Sequence, residues 1–98
     1  MGIIKNILHQ CDTIKDSRTI IRPMLKLTEE VGELATEVNI KLGNLEPSKG
    51  GSDGVIGEGS DIIIAALDIM FQENKNITEE DITKIINEKL LKWKSSYN

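Results

Sequence analysis

Between Ile62 and Phe71 a single residue, Asp68, interrupts an apolar run: Ile-Ile-Ile-Ala-Ala-Leu-Asp-Ile-Met-Phe. At helical pitch these side chains cover nearly the whole circumference, so a helix here must be buried on most sides. Three consecutive isoleucines also suit a strand. The length of the segment and Ala65-Ala66-Leu67 favour a helix, starting near Glu58 and running to about Asn74. The polar exceptions fall on one line, Glu58, Asp61, Ala65 and Asp68. An acidic line on an otherwise apolar helix is a poor solvent face and a good wall for a hidden site.

The rest of the chain can supply the partners that such a helix needs. Ile3, Ile4, Ile7, Leu8, Cys11 and Ile14 recur at three- and four-residue steps, which predicts an amphipathic first helix ending near a break at Asp16-Ser17-Arg18. Pro23 suits the first turn of a second helix. Its apolar stripe, Leu27, Val31, Leu34 and Val38, runs to about Leu42, with Gly43 as a natural stop. Thr78 followed by Glu79-Glu80-Asp81 predicts a capping box and a fourth helix carrying Ile82, Ile85, Ile86, Leu90 and Trp93. Residues 43–59 hold six of the eight glycines and read as a long loop, flexible over 43–57. The expected class is all-α, one domain over residues 1–98. Aromatics are only 3% of the chain, so its core must be aliphatic, and a domain this small gains burial by oligomerising.

Composition excludes several functions. A net charge of −4 argues against a duplex-binding surface, which needs clustered Lys and Arg. The single cysteine, Cys11, allows no intramolecular disulfide and no zinc-type spacing, as expected of a reducing cytoplasm. The apolar run is too short to span a bilayer, and residues 1–10 lack the apolar core of a signal peptide. A soluble, cytoplasmic protein is expected. His9 and Cys11 fall on or near the apolar face of the first helix and read as packing residues.

The carboxylates are the chemistry-bearing feature. On the second helix Lys26, Glu30, Glu33 and Glu37 share one stripe, with Glu29 further round but within reach of Glu33. Like charges at these spacings destabilise a free helix by roughly 0.2–0.5 kcal/mol per pair, and Lys26 offsets only part of that. Glu30/Glu33 and Glu58/Asp61 are i,i+3 pairs, about 4.5 Å apart along their axes, so each pair can reach one ion. An all-oxygen set prefers Mg²⁺ or Mn²⁺. Zinc and di-iron sites fail for want of suitably placed His and Cys.

Lys26-Leu27-Thr28-Glu29-Glu30-Val31-Gly32-Glu33-Leu34, a spacer, and Glu58-Gly59-Ser60-Asp61 before an apolar helix resemble the MazG-like nucleoside triphosphate pyrophosphohydrolases. The resemblance runs from about Arg22 to Trp93. It implies a four- to five-helix bundle completed by oligomerisation as a homodimer or homotetramer. It further implies Mg²⁺ held by Glu30, Glu33, Glu58 and Asp61, with Glu29 and Glu33 as the catalytic carboxylates that orient or deprotonate water, Glu29 alternatively holding a second metal. Lys26, Asp68, Lys89 and Lys92 would meet the substrate. The implied reaction is hydrolysis of a (deoxy)nucleoside triphosphate to monophosphate and pyrophosphate, a nucleotide-pool housekeeping activity. A narrower relative acting on dUTP, dCTP or phosphoribosyl-ATP is one alternative. A non-catalytic helical interaction module is the other, and the scarcity of aromatics for base stacking favours it.

Overall fold

A computed structural model describes residues 2–14 and 19–97. The expected break at 16–18 lies outside them. The described residues form four α-helices, α1 (Ile3–Thr13), α2 (Ile21–Lys41), α3 (Gly54–Glu73) and α4 (Glu79–Ser95), with a short 3-10 turn at Pro47–Lys49. The class is all-α, as the periodicity predicts.

Helix ends follow local chemistry. At the end of α2, Gly43 takes φ 80°, and its N–H donates to Ile40 C=O while Asn44 N–H donates to Asn39 C=O. That paired pattern is a Schellman stop, and only glycine adopts the left-handed turn without cost. At α4 the capping box is complete: Asp81 N–H donates to Thr78 Oγ1 at 3.1 Å, and Thr78 N–H donates to Asp81 Oδ2 at 3.0 Å. α3 corrects the expected start near Glu58, beginning at Gly54. Gly54 and Gly57 read as loop glycines, yet the helical hydrogen bonding extends back through them, with Gly57 N–H donating to Asp53 C=O. The loop shortens to residues 42–53 and carries the 3-10 turn.

The hydrocarbon core lies at one end of the molecule. Leu8 and Cys11 from α1, Leu67 and Phe71 from α3, and Ile82 from α4 form one buried cluster, lined by Ile4, Ile7, Met70 and Ile77. Lys75 closes its edge, the ammonium 4.8 Å from the Phe71 ring centre. Cys11 packs as predicted, whereas His9 is exposed and lines a cleft at the edge of the core beside Leu8 and Phe71. α2 packs along α3, and α1 crosses α3. Among the described residues α4 pairs only with α1, its own Ile82 aside.

Two expectations about burial need correction. α3 is not covered on most sides, since Ile56, Ile63 and Ile64 are 84%, 59% and 49% exposed. The reason is that α4 turns away and leaves only α1 and α2 to cover it. On α2 the buried residues are Pro23, Glu30 and Glu37, while Val31 and Val38 of the apolar stripe stay exposed. The chain is correspondingly open. Its radius of gyration is 15.7 Å, against about 13 Å for a compact domain of this length. Its accessible surface is 7354 Å², where about 5,600 Å² is ordinary for a folded monomer of its mass.

Among the described residues Ile82, at 2% exposure, is the best buried and the only α4 side chain in the core. Ile82→Ala is expected to cost about 2–5 kcal/mol in urea unfolding, and Thr78→Ala about 1 kcal/mol through the lost cap.

Candidate metal centre

The acidic residues meet along the seam between α2 and α3. Glu30 lies one turn after Lys26 on the face of α2 that packs against α3, and Glu58 occupies the second turn of α3. Both are almost wholly buried, at 3% and 5% exposure. Ala65 is also buried on this face, its small side chain allowing the helices to approach. Carboxylate oxygens of Glu30, Glu33 and Glu58 lie within 4.8 Å of one another, and so do those of Asp53, Glu58 and Asp61. Glu58 belongs to both groups.

Among the described residues one ion pair reaches the cluster, Lys26 Nζ to Glu30 Oε1 at 3.1 Å. That hydrogen bond holds the Glu30 carboxyl below its ordinary range, although burial opposes it. Glu58 is driven the other way. Desolvation first, then the neighbouring Glu33 and Glu30 carboxylates, push it up to about 7. Asp61 is also raised, by burial and then by the charges of Glu30 and Asp53. Glu30 Oε2 and Glu58 Oε2 are buried with no hydrogen-bond partner. Such orphaned oxygens are costly unless a proton or cation meets them. The donor set, all carboxylate oxygen with two orphaned buried atoms, fits a hard divalent cation.

Two clefts flank the cluster. The larger, about 420 Å³, is lined by Glu33, Glu37, Lys49, Asp53, Glu58 and the backbone of Gly50–Ser52. The smaller, about 220 Å³, is lined by Lys26, Glu30, Asp61 and Asp68 among others. Asp68 accepts a hydrogen bond from Gln72 Nε2 at 3.2 Å and faces this second cleft. Glu37 is buried on the same line of α2 as Glu30, and its Oε1 accepts from Gly51 N–H at 3.0 Å. A Cβ on Gly50 would come within 2.6 Å of that same oxygen, so the glycine pair lets the loop close onto α2.

Of the residues the sequence nominated, Glu30, Glu33, Glu58 and Asp61 are brought together, with Lys26 and Asp68 beside them. Glu29 is exposed and stands outside both carboxylate groups. Lys89 and Lys92 are exposed on α4 and line neither cleft. Three residues went unnominated: Glu37, Lys49 and Asp53. Glu37 carried a signal, being one heptad beyond Glu30. The positions of Lys49 and Asp53 depend on the path of the loop, which no periodicity encodes.

No family model, no curated protein and no solved structure matches this chain.

The raised Glu58 sets a pH dependence. In the folded chain its carboxyl keeps a proton up to about pH 7, against an ordinary value of 4.5. Folding therefore takes up a proton between these values, and stability falls as pH rises through that window. Asp61 acts with the same sign, while Glu30, with its lowered value, acts oppositely and only in more acidic solution. In EDTA the thermal midpoint is expected to be higher near pH 5.5 than near pH 7.5, and Glu58→Gln should flatten the difference. Added Mg²⁺ should raise the midpoint more at the higher pH, because the ion competes with the proton.

Proposed function

We propose that this chain is a Mg²⁺-dependent nucleoside triphosphate pyrophosphohydrolase of the MazG-like type. The observation that carries the reading is the convergence of Glu30, Glu33, Glu58 and Asp61 on one seam with two buried, unpartnered carboxylate oxygens. These four residues would hold the cation. Bound there, a divalent ion stabilises charge on phosphate oxygens and makes water a better nucleophile. Mn²⁺ would satisfy the same oxygen donors.

The chain's own groups divide the remaining work. Glu33, exposed to the larger cleft, accepts the proton of the water that attacks between the α- and β-phosphorus. Glu29, outside the cluster, is the weaker candidate for that role. Lys49 at the same cleft and Lys26 at the smaller one supply positive charge for the phosphates. Asp68 faces the smaller cleft, where it can accept a hydrogen bond from the nucleoside.

The working unit is a homo-oligomer. The chain exposes about 1,800 Å² more surface than a monomer of its mass, roughly twice the ~800 Å² that each partner loses in a standard specific interface. Ile56 and Ile63 on α3, and Leu90, Leu91 and Trp93 on α4, are among the large apolar side chains left in water. A second copy burying them would also be the route by which Lys89 and Lys92 approach a cleft.

Two measurements test the reading. Incubation with ribo- and deoxynucleoside triphosphates and Mg²⁺ should release monophosphate and pyrophosphate, with Glu33→Gln and Asp61→Asn each slowed by about 100-fold or more. Absence of turnover across the panel, or full activity in both variants, overturns it. Light scattering after size exclusion should give a dimer or tetramer, and Ile63→Glu should shift it toward monomer. A monomeric wild type overturns the assembly alone.

A further inference from the structure

Glu37 is a buried charged group that the metal centre does not use. It is 9% exposed and stands outside both carboxylate groups. A carboxylate taken out of water needs a partner, and this one accepts from Gly51 N–H at 3.0 Å. The chain around that bond is fitted to it. A Cβ on Gly50 would meet Glu37 Oε1 at 2.6 Å and Ile40 Cδ1 at 2.7 Å. A Cβ on Gly51 would meet nothing within 4 Å. Glycine at position 50 is therefore required by space, since its φ of −94° is open to any residue.

The bond closes a strap along the larger cleft. Just before it, Lys49 N–H donates to Glu46 C=O at 3.0 Å and Gly50 N–H to Pro47 C=O at 3.1 Å. Lys49 is thus carried in a hydrogen-bonded turn. After the bond, Gly54 with φ 69° turns the chain into α3. Asp53 folds against that helix over Gly57, where a Cβ would stand 2.6 Å from Asp53 Cβ. Among the described residues Lys49 is the one basic side chain lining this cleft, against Glu33, Glu37, Asp53 and Glu58. It is exposed and has no ion-pair partner among them. An ammonium that shares a cleft with four carboxylates and pairs with none is held apart by the turn that carries it. Only an anion can bridge such an ammonium to a cation held by the carboxylates.

We infer that residues 49–52 are a phosphate-binding strap, in which Lys49 meets the diphosphate end of the substrate and Glu37 is the positioning residue. The inference rests on the pyrophosphohydrolase reading and on the cation it requires. With the nucleoside in the smaller cleft, the phosphate chain crosses the seam and ends in the larger one. A lysine fixed there stabilises charge on the departing pyrophosphate.

The test begins on the chain alone, without metal or nucleotide. Trypsin should cut after Lys49 about tenfold faster in Glu37→Leu than in wild type. Glu37→Gln, which keeps an acceptor for Gly51 N–H, should stay near wild type. Binding is then read by calorimetry with inorganic pyrophosphate in the presence of Mg²⁺. Lys49→Ala and Glu37→Leu should each weaken pyrophosphate about tenfold. The double variant should be no weaker than Lys49→Ala, because Glu37 acts through Lys49. Gly50→Ala should bind like Glu37→Leu, and Gly51→Ala like wild type. Undiminished pyrophosphate binding in Lys49→Ala, or additive losses in the double variant, overturns the strap. The rise in thermal midpoint with Mg²⁺ alone reports the metal centre separately and should persist in all these variants. No pyrophosphate binding by wild type, with that rise intact, overturns the strap and leaves the metal centre standing. No rise in wild type overturns the reading beneath it. Circular dichroism of each variant separates loss of the strap from loss of fold.

Discussion

The packing of α2 against α3 places carboxylates where a small helical protein would ordinarily put hydrocarbon. Among the described residues Glu30, Glu37 and Glu58 are its buried charged residues, and Glu30 and Glu58 each carry a buried oxygen without a hydrogen-bond partner. Such a seam contributes little hydrophobic stabilisation and carries a desolvation cost. The rest of the structure answers that cost. The apolar cluster around Leu67, Phe71 and Ile82 gathers toward the far end of α3, away from the acidic seam. The acidic end is tied instead by polar contacts: Lys26 to Glu30, and the Gly51 amide to Glu37.

Much of this was legible in the sequence. Helix spacing placed Glu30 with Glu33 and Glu58 with Asp61, because residues three apart share a face whatever the tertiary context. The Gly43 stop and the Thr78 cap were equally local and equally readable. The start of α3 was less so, since Gly54 and Gly57 weaken a helix by composition yet are used here to bring Asp53 against it. The inward orientation of the acidic stripe on α2 was only half visible. Periodicity puts Glu30 and Glu37 on one line but does not say whether that line faces protein or water. Lys89 and Lys92 show the limit of motif transfer within one chain. Their helix has the expected residues, but its direction is a tertiary property, and it runs away from the clefts.

That direction also accounts for the apolar surface. A bundle built from these helices alone cannot enclose α3, because α4 is committed to α1. The isoleucines that made α3 look central are left on the outside. The periodic pattern therefore marks which helix faces are apolar, not which of them this chain covers. No helix among the described residues is long and apolar enough to cross a membrane.

Lys26 deserves to be read as something other than a salt-bridge partner. Its side chain is 63% exposed while Glu30 is 3% exposed, so the ammonium is held at the rim by a flexible stem with its tip on a buried oxygen. It acts as a counterion on a tether, present at high effective concentration whatever the solution contains. A monovalent ion from solvent gains nothing by displacing a charge equal to its own. A divalent ion brings twice the charge and recruits further oxygens, so it can win the exchange. At the proposed metal site the lysine would thereby set a threshold of charge for entry, and once displaced it would be free to turn toward an anion carried by the metal.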